Sequence, residues 1–472
     1  MKIAATTICA ALCCAISMSI HAQPTLISQQ SPILNDASHP CISDAMYQII
    51  EQRCSTNVHA LGLDHLGSQR NNPVALNWPL RMANGLSDNS YYIISAYVDQ
   101  DQSSGSYKDW NCGANTYDTH RGTDICTYPY PFYKMDNNQV EVVAAAAGII
   151  IDKHDGEFDK NCVHSNAQAN YIVIEHADGT FANYFHMKKN SLTSKNIGES
   201  VAVGEYLGVV GSSGDANGPH LHFEVRTANS ASAYKDPFAG GCNSLNTTSW
   251  WATQKPYTEP AVLKAQIGNV DPVLASCPNT ETPNESPCLQ PGSDARIYVF
   301  LRDETQGMVV NIKIKDSTGH AVLSWPLTSA QTQLASIYGW QQHLPTQQGS
   351  YTLEASYNNT TSVSSFEITT AQCRIASGST GIEEADNANA INVYPNPTSG
   401  RINISSTGLA AGTYNVMLHD MLGQEVMQDD MIVSGATAEK TMSVSGLMDG
   451  IYLLSIRGNG TTLTRKIQKA TF

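Results

Sequence analysis

The sequence predicts a mainly β protein built from antiparallel sheets and divided into several domains. Short runs of alternating apolar and polar residues recur along the chain, and glycine, asparagine and serine separate them. Charged residues make up only 15% of the composition, which is typical of a loop-rich extracellular chain. At roughly 100–200 residues per domain, a chain of 472 residues suggests two to four domains.

The first 22 residues have the features of a secretory signal peptide. Lys2 gives a positive start, an apolar core follows, and Ala22 is a small residue at the predicted cleavage point. A membrane anchor is the alternative interpretation. No second apolar run approaches ~20 residues, so we expect no stable membrane span after signal removal. The formal net charge of −15 argues against nucleic acid and anionic membrane surfaces as partners.

Export implies an oxidising compartment, in which most cysteines should form disulfides. Three of the twelve cysteines lie in the predicted signal peptide, so an odd number remains and at least one stays a thiol or pairs outside the chain. Pairs close in sequence, such as Cys41–Cys54 and Cys112–Cys126, fit the spacing. Spacing alone does not fix the connectivity.

Residues 23–75 are mixed in pattern and contain one helical signal. In "SDAMYQIIEQRC" (43–54), Ser43 is suited to an N-cap and the apolar residues after it have helical spacing. The rest of this stretch is irregular. We interpret 23–75 as an N-terminal segment or a pro-region.

Residues 76–245 have the pattern of one antiparallel β domain. "YIVIEHADGTFANYFHM" (171–187) predicts a hairpin around Asp178–Gly179. "VAVGEYLGVVGSSGDANGPHLHFEVR" (201–226) predicts two further strands around a glycine-rich loop. Seven of the fourteen histidines lie between residues 120 and 222 of this domain.

Two more β units follow. Residues 265–373 contain short alternating strands at regular spacing, which predicts an immunoglobulin-like β-sandwich, although the tryptophan–disulfide signature of true immunoglobulin domains is missing. Residues 374–390 are polar and acidic and are interpreted as a linker. Residues 391–472 again predict short strands with glycine turns, and therefore a C-terminal β-sandwich.

The segment "GPHLHFEV" (218–225) is the strongest single sign of a site. Side chains alternate along a strand, so His220, His222 and Glu224 should share one face while the apolar residues between them face the core. Two imidazoles two residues apart suit a metal, or a metal ligand beside a catalytic base. The alternative is an ordinary solvated strand face.

Two further segments could complete such a site. In "HRGTD" (120–124), Gly122 permits a tight turn, so His120 and Asp124 can converge. In "NYFHM" (183–187), His186 ends the return strand of the predicted hairpin. Each signal is weak alone, since any loop can hold a histidine and an aspartate.

Taken in order, "HRGTDI", the hairpin ending "YFHM", and "GPHLHFEV" after "GSSGDANG" resemble the lysostaphin/LytM-type zinc metallopeptidases, peptidase family M23. The resemblance covers residues 76–240. It implies His120, Asp124 and His222 as ligands of one Zn²⁺ ion, and His186 and His220 as catalytic histidines. Met187 stands where that family usually has leucine. The chain between "WPLR" and His120 is long, and we expect it to remodel the rim of the cleft.

What the resemblance implies chemically is hydrolysis of a peptide bond. Zinc lowers the pKa of water to ~7 and polarises the scissile carbonyl. His186 or His220 takes the water proton or binds the oxyanion. Ligand histidines usually donate their second N–H to an acceptor, and Glu224 and Asp178 are candidates for that role. The family implies peptidoglycan cross-links as the substrate.

The last segment has its own resemblance. "INVYPNPTSGRINI", "GTYNVMLHDMLGQEV", "LMDGIYLLSI" and "TRKIQKA" are similar to the type A sorting domain of the type IX secretion system of Bacteroidetes. That implies the secretion machinery as a partner, and a protein that is secreted or held at the cell surface after passage through the periplasm. An ordinary β-sandwich binding domain is the alternative.

Three functions are therefore open: a zinc metalloendopeptidase acting on peptidoglycan, a non-catalytic LytM-like protein that binds the wall or regulates a partner, and a general extracellular protease. A fourth, an adhesin that binds through the 265–373 sandwich, leaves the histidine sites unexplained. Non-catalytic relatives of an enzyme typically lose ligands. All five site positions are filled here, which favours the enzyme.

Overall fold

The computed structural model describes residues 25–30, 42–64, 74–101, 103–163, 165, 167–274, 281–358, 360–371, 391–394, 396, 398–407, 409–420, 425–435, 437–458 and 461–469. The predicted signal peptide (1–22) and linker (374–390) lie outside these residues, as do Cys41, Cys277 and Cys373. The chain divides into two compact units, residues 1–375 and 376–472.

The N-terminal segment contributes to two different parts of the first unit. Strand β1 (Thr25–Gln30) pairs antiparallel with a strand of the later sandwich, and helix α1 (Asp44–Ala60) follows it. The predicted cap is confirmed, because Ser43 Oγ accepts a hydrogen bond from the Met46 backbone N–H at 3.3 Å. The helix continues to Ala60, six residues beyond the predicted segment.

The histidine-bearing part of the first unit has two sheets. Its elements are β2 (Leu80–Met82), β3 (Tyr92–Ala96), β4 (Thr123–Thr127), α2 (Pro131–Asp136), β5 (Val140–Val143), β6 (Gly148–His154), β7 (Tyr171–Glu175), β8 (Phe181–Phe185), β9 (Ser200–Val201), β10 (Tyr206–Val209), β11 (His220–Arg226) and β12 (Tyr234–Lys235). The main sheet has the order β3-β4-β11-β8-β7-β6-β9, with β12 on β11, and the small sheet has the order β10-β5-β2. The predicted hairpin is confirmed as β7 and β8, with Gly179 at φ +76° in its turn.

Both faces of the main sheet are covered. On one face, Ile125, Leu221 and Phe223 pack in a core that includes the small sheet and Trp251. On the other face, apolar residues of α1 pack on the sheet. These residues are Tyr47, Ile50 and Cys54 of α1 and Ile151, Tyr171, Val173, Phe181 and Phe185 of the sheet. The face of β11 that carries the histidines is therefore buried rather than solvated.

A β-sandwich completes the first unit. It contains β13 (Ala261–Gly268), β14 (Cys288–Leu289), β15 (Asp294–Glu304), β16 (Val309–Asp316), β17 (Ala321–Thr328), β18 (Gln333–His343), β19 (Gly349–Tyr357) and β20 (Thr360–Ile368). The two sheets have the orders β1-β18-β15-β13 and β14-β20-β19-β16-β17. Their facing apolar residues form one core. The short β14–β20 pair is parallel, unlike the antiparallel pairs around it.

The sandwich packs directly on the main sheet. Ile93, Tyr128 and Tyr130 share an apolar cluster with residues of the sandwich such as Phe300. Beside it, the buried Asp88 carboxylate accepts from Lys134 Nζ at 2.5 Å and from Lys264 Nζ at 2.6 Å. Burial opposes the charge, but the two ammonium groups hold the pKa of Asp88 below its usual value. An apolar contact with a neutralised ionic centre explains why the two parts form one compact unit.

The second unit is a separate β-sandwich. It contains β21 (Ile391–Tyr394), β22 (Arg401–Thr407), β23 (Gly412–His419), β24 (Glu425–Val433), β25 (Thr437–Ser443), β26 (Gly450–Gly458) and β27 (Thr461–Lys469), in sheets ordered β21-β22-β25 and β24-β23-β26-β27. Ile404, Val416 and Ile456 lie in its core. The predicted mainly β fold of antiparallel sheets is confirmed. In the part of the chain that the structure describes, no helix has the length and apolarity to cross a membrane.

Candidate metal centre

Two neighbouring strands of the main sheet bring an acid and an imidazole together. β4 pairs antiparallel with β11, and in this register His222 lies opposite Asp124. His120 lies in the turn just before β4. The alternation along β11 places His220, His222 and Glu224 on the same face, as the sequence predicts. The pairing of β4 with β11 thus joins two motifs that are about a hundred residues apart.

The geometry of these side chains fits a tetrahedral metal ion. His222 Nδ1 lies 2.9 Å from Asp124 Oδ1, and His120 Nε2 lies 3.2 Å from both atoms. Metal–ligand bonds of about 2.0–2.1 Å in a tetrahedron require ligand atoms about 3.3 Å apart. Each of the three side chains is only 1% exposed. Among the described residues these three form a group that could hold a metal.

Further contacts orient two of these ligands. His120 Nδ1 donates to the Tyr97 carbonyl oxygen at 2.7 Å, which leaves the Nε2 lone pair for a metal. Tyr117 donates its hydroxyl to Asp124 Oδ2 at 3.2 Å, and its ring stacks on His120 at 4.2 Å. Neither tyrosine is predicted from the sequence. Tyr97 contacts His120 through its backbone carbonyl, and the residue type at a position does not predict such a contact. For Tyr117, the available signal was its position three residues before His120.

His186 and His220 lie beside the three ligands. Their ring centroids are 4.5 Å apart, and His220 Nε2 is 3.8 Å from Asp124 Oδ1. His186 Nδ1 donates to the Ser213 carbonyl at 2.7 Å, and His220 Nδ1 donates to the Gly218 carbonyl at 2.8 Å. Those bonds assign the proton to Nδ1 in the neutral rings, so each Nε2 can accept a proton. The structure thus brings all five predicted site residues together.

The backbone at His186 is unusual. Its φ is +63°, a left-handed conformation that costs a non-glycine residue roughly 1–2 kcal/mol. This conformation occurs where β8 ends and the chain turns away. Such strain at a buried polar side chain is typical of functional sites.

The charges around the site favour ionised carboxylates. Burial by itself would raise the pKa of Asp124, but His120 and His222 hold it well below its usual range. Burial also opposes ionisation of Glu224, yet Arg226 and His222 lower its pKa to about 2. An anionic Asp124 is the form that binds a metal cation.

Glu224 and Asp178, the two predicted acceptors for the second N–H of a ligand histidine, lie in different parts of the domain. Glu224 is near the site, with Oε2 3.6 Å from His222 Nε2. Asp178 instead accepts hydrogen bonds from the Thr180 N–H at 3.0 Å and the Val74 N–H at 2.8 Å. Those bonds place the Asp178 carboxylate in the β7–β8 turn.

Gly122 is needed because His222 and the Phe223 backbone approach it closely, and not because its backbone angle is unusual. A Cβ atom there would lie 2.5 Å from His222 Nε2 and 2.9 Å from the Phe223 carbonyl oxygen. Its φ is not in the left-handed region. The tight turn suggested by the sequence is therefore not why glycine occurs at this position.

Both disulfides suggested by spacing are wrong. Cys112 pairs with Cys242, which ties the long loop before His120 to the chain after β12. Cys54 and Cys126 are thiols, and burial raises the pKa of Cys126 to about 12. Cys162 and Cys288 are also disulfide-bonded. A link between residues 130 positions apart restricts the unfolded chain strongly.

Comparisons with known proteins agree with this centre. The family model described as Peptidase family M23 matches residues 119–234, which include the three candidate ligands and both other histidines. Residues 119–234 are a peptidase family M23 domain. A second model, Secretion system C-terminal sorting domain, matches residues 392–470.

Several individual proteins resemble the M23 domain. Cell division protein DipM of Caulobacter vibrioides is 31% identical over 108 residues, 23% of this chain and 17% of that protein. Peptidoglycan DD-endopeptidase ShyB of Vibrio cholerae is 31% identical over 137 residues, 28% of this chain and 27% of that protein. The lysostaphin catalytic domain from Staphylococcus simulans is 25% identical, with a TM-score of 0.19 over 25% of this chain and 76% of that one. This chain thus spans 17% to 27% of the lengths of these two curated relatives.

Helix α1, outside the matched M23 residues, forms one wall of the space beside the metal ligands. A cavity of about 270 Å³ lies there, lined by Ile42, Ser43, Asp44, Tyr47, Thr119, His120, Arg121 and His222. A second cavity of about 450 Å³ has Asp44, Tyr47, Thr119 and Arg121 in common with the first. Residues of α1 therefore line part of the cavity beside the three candidate ligands.

Proposed function

We propose that this protein is a secreted zinc metalloendopeptidase that hydrolyses peptide cross-links of peptidoglycan. The observation that carries the proposal is the set of three ligand atoms, 2.9–3.2 Å apart and buried within an M23 domain. Two imidazoles and one carboxylate are a donor set that suits a catalytic zinc ion.

His120, Asp124 and His222 would hold the zinc. The chemistry that zinc supplies when bound is Lewis acidity, which polarises a carbonyl and lowers the pKa of water. Asp124 contributes the negative charge, and the Tyr97 carbonyl fixes the tautomer of His120. Burial of all three side chains restricts other water near the ligands.

His186 and His220 are proposed to move the protons. Water adds its oxygen to the scissile carbonyl carbon and passes a proton to a neutral imidazole Nε2. The C–N bond then breaks, and the amine leaves with a proton. An imidazolium Nε2–H can also donate to the developing oxyanion. The Ser213 and Gly218 carbonyls keep the second proton of each ring on Nδ1.

The substrate class is proposed from the relatives rather than from charge. ShyB is named a peptidoglycan DD-endopeptidase, and the residues of this chain that match the M23 family model include the five site residues. The net charge of −15 gives no attraction to an anionic wall. Recognition would therefore depend on shape and hydrogen bonds along the α1 wall.

The test uses the zinc-loaded full chain and purified peptidoglycans of known cross-link. We expect mass spectrometry to show newly exposed amino groups at one cross-link type, either a D-Ala–diaminopimelate link or a glycine-containing bridge. Wall binding without cleavage would instead support the non-catalytic alternative. Cleavage of unfolded protein but of neither wall would support a general extracellular protease.

The C-terminal sorting domain implies export by the type IX system to the cell surface or the outside. Because residues 376–472 form their own compact unit, removing them should leave the first unit folded. We expect deletion of 391–472 to trap an enzyme of unchanged specific activity in the periplasm. Cell fractionation of the native host with and without the deletion measures this. Normal export of the truncated chain would contradict the sorting role.

A further inference from the structure

Helix α1 is held on the main sheet by an ion pair, a hydrogen bond and an apolar contact. The Arg53 guanidinium binds Asp152 through Nε at 3.0 Å and Nη2 at 2.8 Å, and Asn57 Nδ2 donates to the Ile151 carbonyl at 2.8 Å. Removing α1 would expose the apolar face of the sheet that includes Phe185. These contacts favour a permanent place for α1 over a pro-region that is discarded.

One residue of α1 reaches the metal centre. The Tyr47 hydroxyl donates to Glu224 Oε2 at 2.9 Å, and both side chains are buried. The guanidinium groups of Arg121 and Arg226 lie 4.9 and 4.7 Å from the centre of the Tyr47 ring, and the ring of Phe185 meets it edge-on at 6.5 Å. The ring is thus held in place by contacts that do not involve its hydroxyl.

The same carboxylate oxygen faces a metal ligand. Glu224 Oε2 lies 3.6 Å from His222 Nε2, and His222 offers Nδ1 to the metal. A ring that binds metal through Nδ1 carries its proton on Nε2, so that N–H points toward Glu224. The other oxygen, Oε1, is taken by Arg226 Nε at 2.7 Å. The Tyr47 hydroxyl and Arg226 therefore fix the rotation of the carboxylate that faces His222.

We propose that Tyr47 is a positioning residue for the metal centre, acting through Glu224 on His222. Helix α1 is then part of the mature catalytic unit, although it lies outside the residues that match the M23 family model. This inference rests on the proposed metallopeptidase function, which supplies the metal that His222 binds. Tyr47 touches neither substrate nor metal in this role.

The test compares Tyr47→Phe with Tyr171→Phe in the full chain. Phenylalanine keeps the ring contacts of Tyr47 and removes only the hydroxyl. Tyr171 is a matched control, because its hydroxyl donates to Asp152 at 2.8 Å in the same layer between α1 and the sheet. Zn²⁺ affinity is measured by competition with a chelating dye, and the Co²⁺-loaded proteins are compared by absorption spectroscopy.

We expect Tyr47→Phe to weaken Zn²⁺ binding by about 10-fold and to change the Co²⁺ spectrum, since loss of such supporting contacts typically costs 10–100-fold. Tyr171→Phe should leave both unchanged at a similar melting temperature. If Tyr47→Phe binds Zn²⁺ within about twofold of the parent affinity and its Co²⁺ spectrum is unchanged, the proposal is overturned.

A double-mutant cycle tests the route through Glu224. If Tyr47 acts through that carboxylate, Tyr47→Phe combined with Glu224→Gln should bind Zn²⁺ no more weakly than Glu224→Gln alone. If the double variant instead loses Zn²⁺ affinity by the product of the two single losses, Tyr47 acts elsewhere and the positioning role is refuted. The measurement of Zn²⁺ affinity does not require peptidase activity. A parent protein that binds Zn²⁺ but cleaves no wall would therefore contradict the proposed function, and the comparison of Zn²⁺ affinities would remain valid.

Discussion

Replacement of His222 by alanine should abolish metal-dependent hydrolysis. His222 supplies one of three ligand atoms and lies opposite Asp124 in the β4–β11 pair. Without it, two ligands remain, and the buried Asp124 loses the imidazole nearest to its Oδ1, at 2.9 Å. A bound metal contributes several kcal/mol to transition-state stabilisation, so we expect activity to fall by about 1,000-fold or more.

The measurement is the rate of peptide release from purified walls, together with the zinc content of the purified protein. His176→Ala is a suitable control, because His176 is also buried and its Nδ1 donates to the Ala147 carbonyl oxygen at 2.8 Å, but it lies in the β7–β8 turn. Chelation of the parent should abolish activity, and added Zn²⁺ should restore it. Full lytic activity in His222→Ala would show that the site assignment is wrong.

Replacement of Gly122 by alanine should disturb the same centre without removing a ligand. The added Cβ would lie 2.5 Å from His222 Nε2 and 2.6 Å from Cε1, and the backbone of Phe223 blocks movement away. The ring or the turn must therefore shift. A misplacement of about 1 Å at a catalytic site can cost roughly 100-fold in rate, and we expect a loss of that order with weaker Zn²⁺ binding.

Gly241→Ala is the matched control for this substitution. A Cβ at Gly241 meets only Cys112 Sγ, at 3.9 Å, which is an ordinary contact. Activity, zinc content and melting temperature are measured for both variants. Parent-like activity and zinc content in Gly122→Ala would mean that the loop before β4 adjusts freely, and that the close approach has no functional role.

Much of the fold and of the candidate site could be predicted from local patterns. Alternation along "HLHFEV" correctly placed His220, His222 and Glu224 on one face, because strand geometry fixes side-chain direction at a period of two. The Asp178–Gly179 hairpin and the Ser43 helix cap were also predictable, since each depends on neighbouring residues only. The disulfides were not, because residues 112 and 242 meet only after the chain has folded.

The sequence by itself determined which residues can bind a metal and which strands carry them. Only the tertiary structure decided how they meet: the β4–β11 register sets Asp124 opposite His222, the Tyr97 carbonyl fixes His120, and α1 brings Tyr47 to Glu224. The physical reason is that periodicity and turn chemistry act over a few residues, whereas strand register and helix docking depend on burial between distant segments. The covered face of β11 illustrates this difference, because its polar pattern is the same whether water or a helix lies above it.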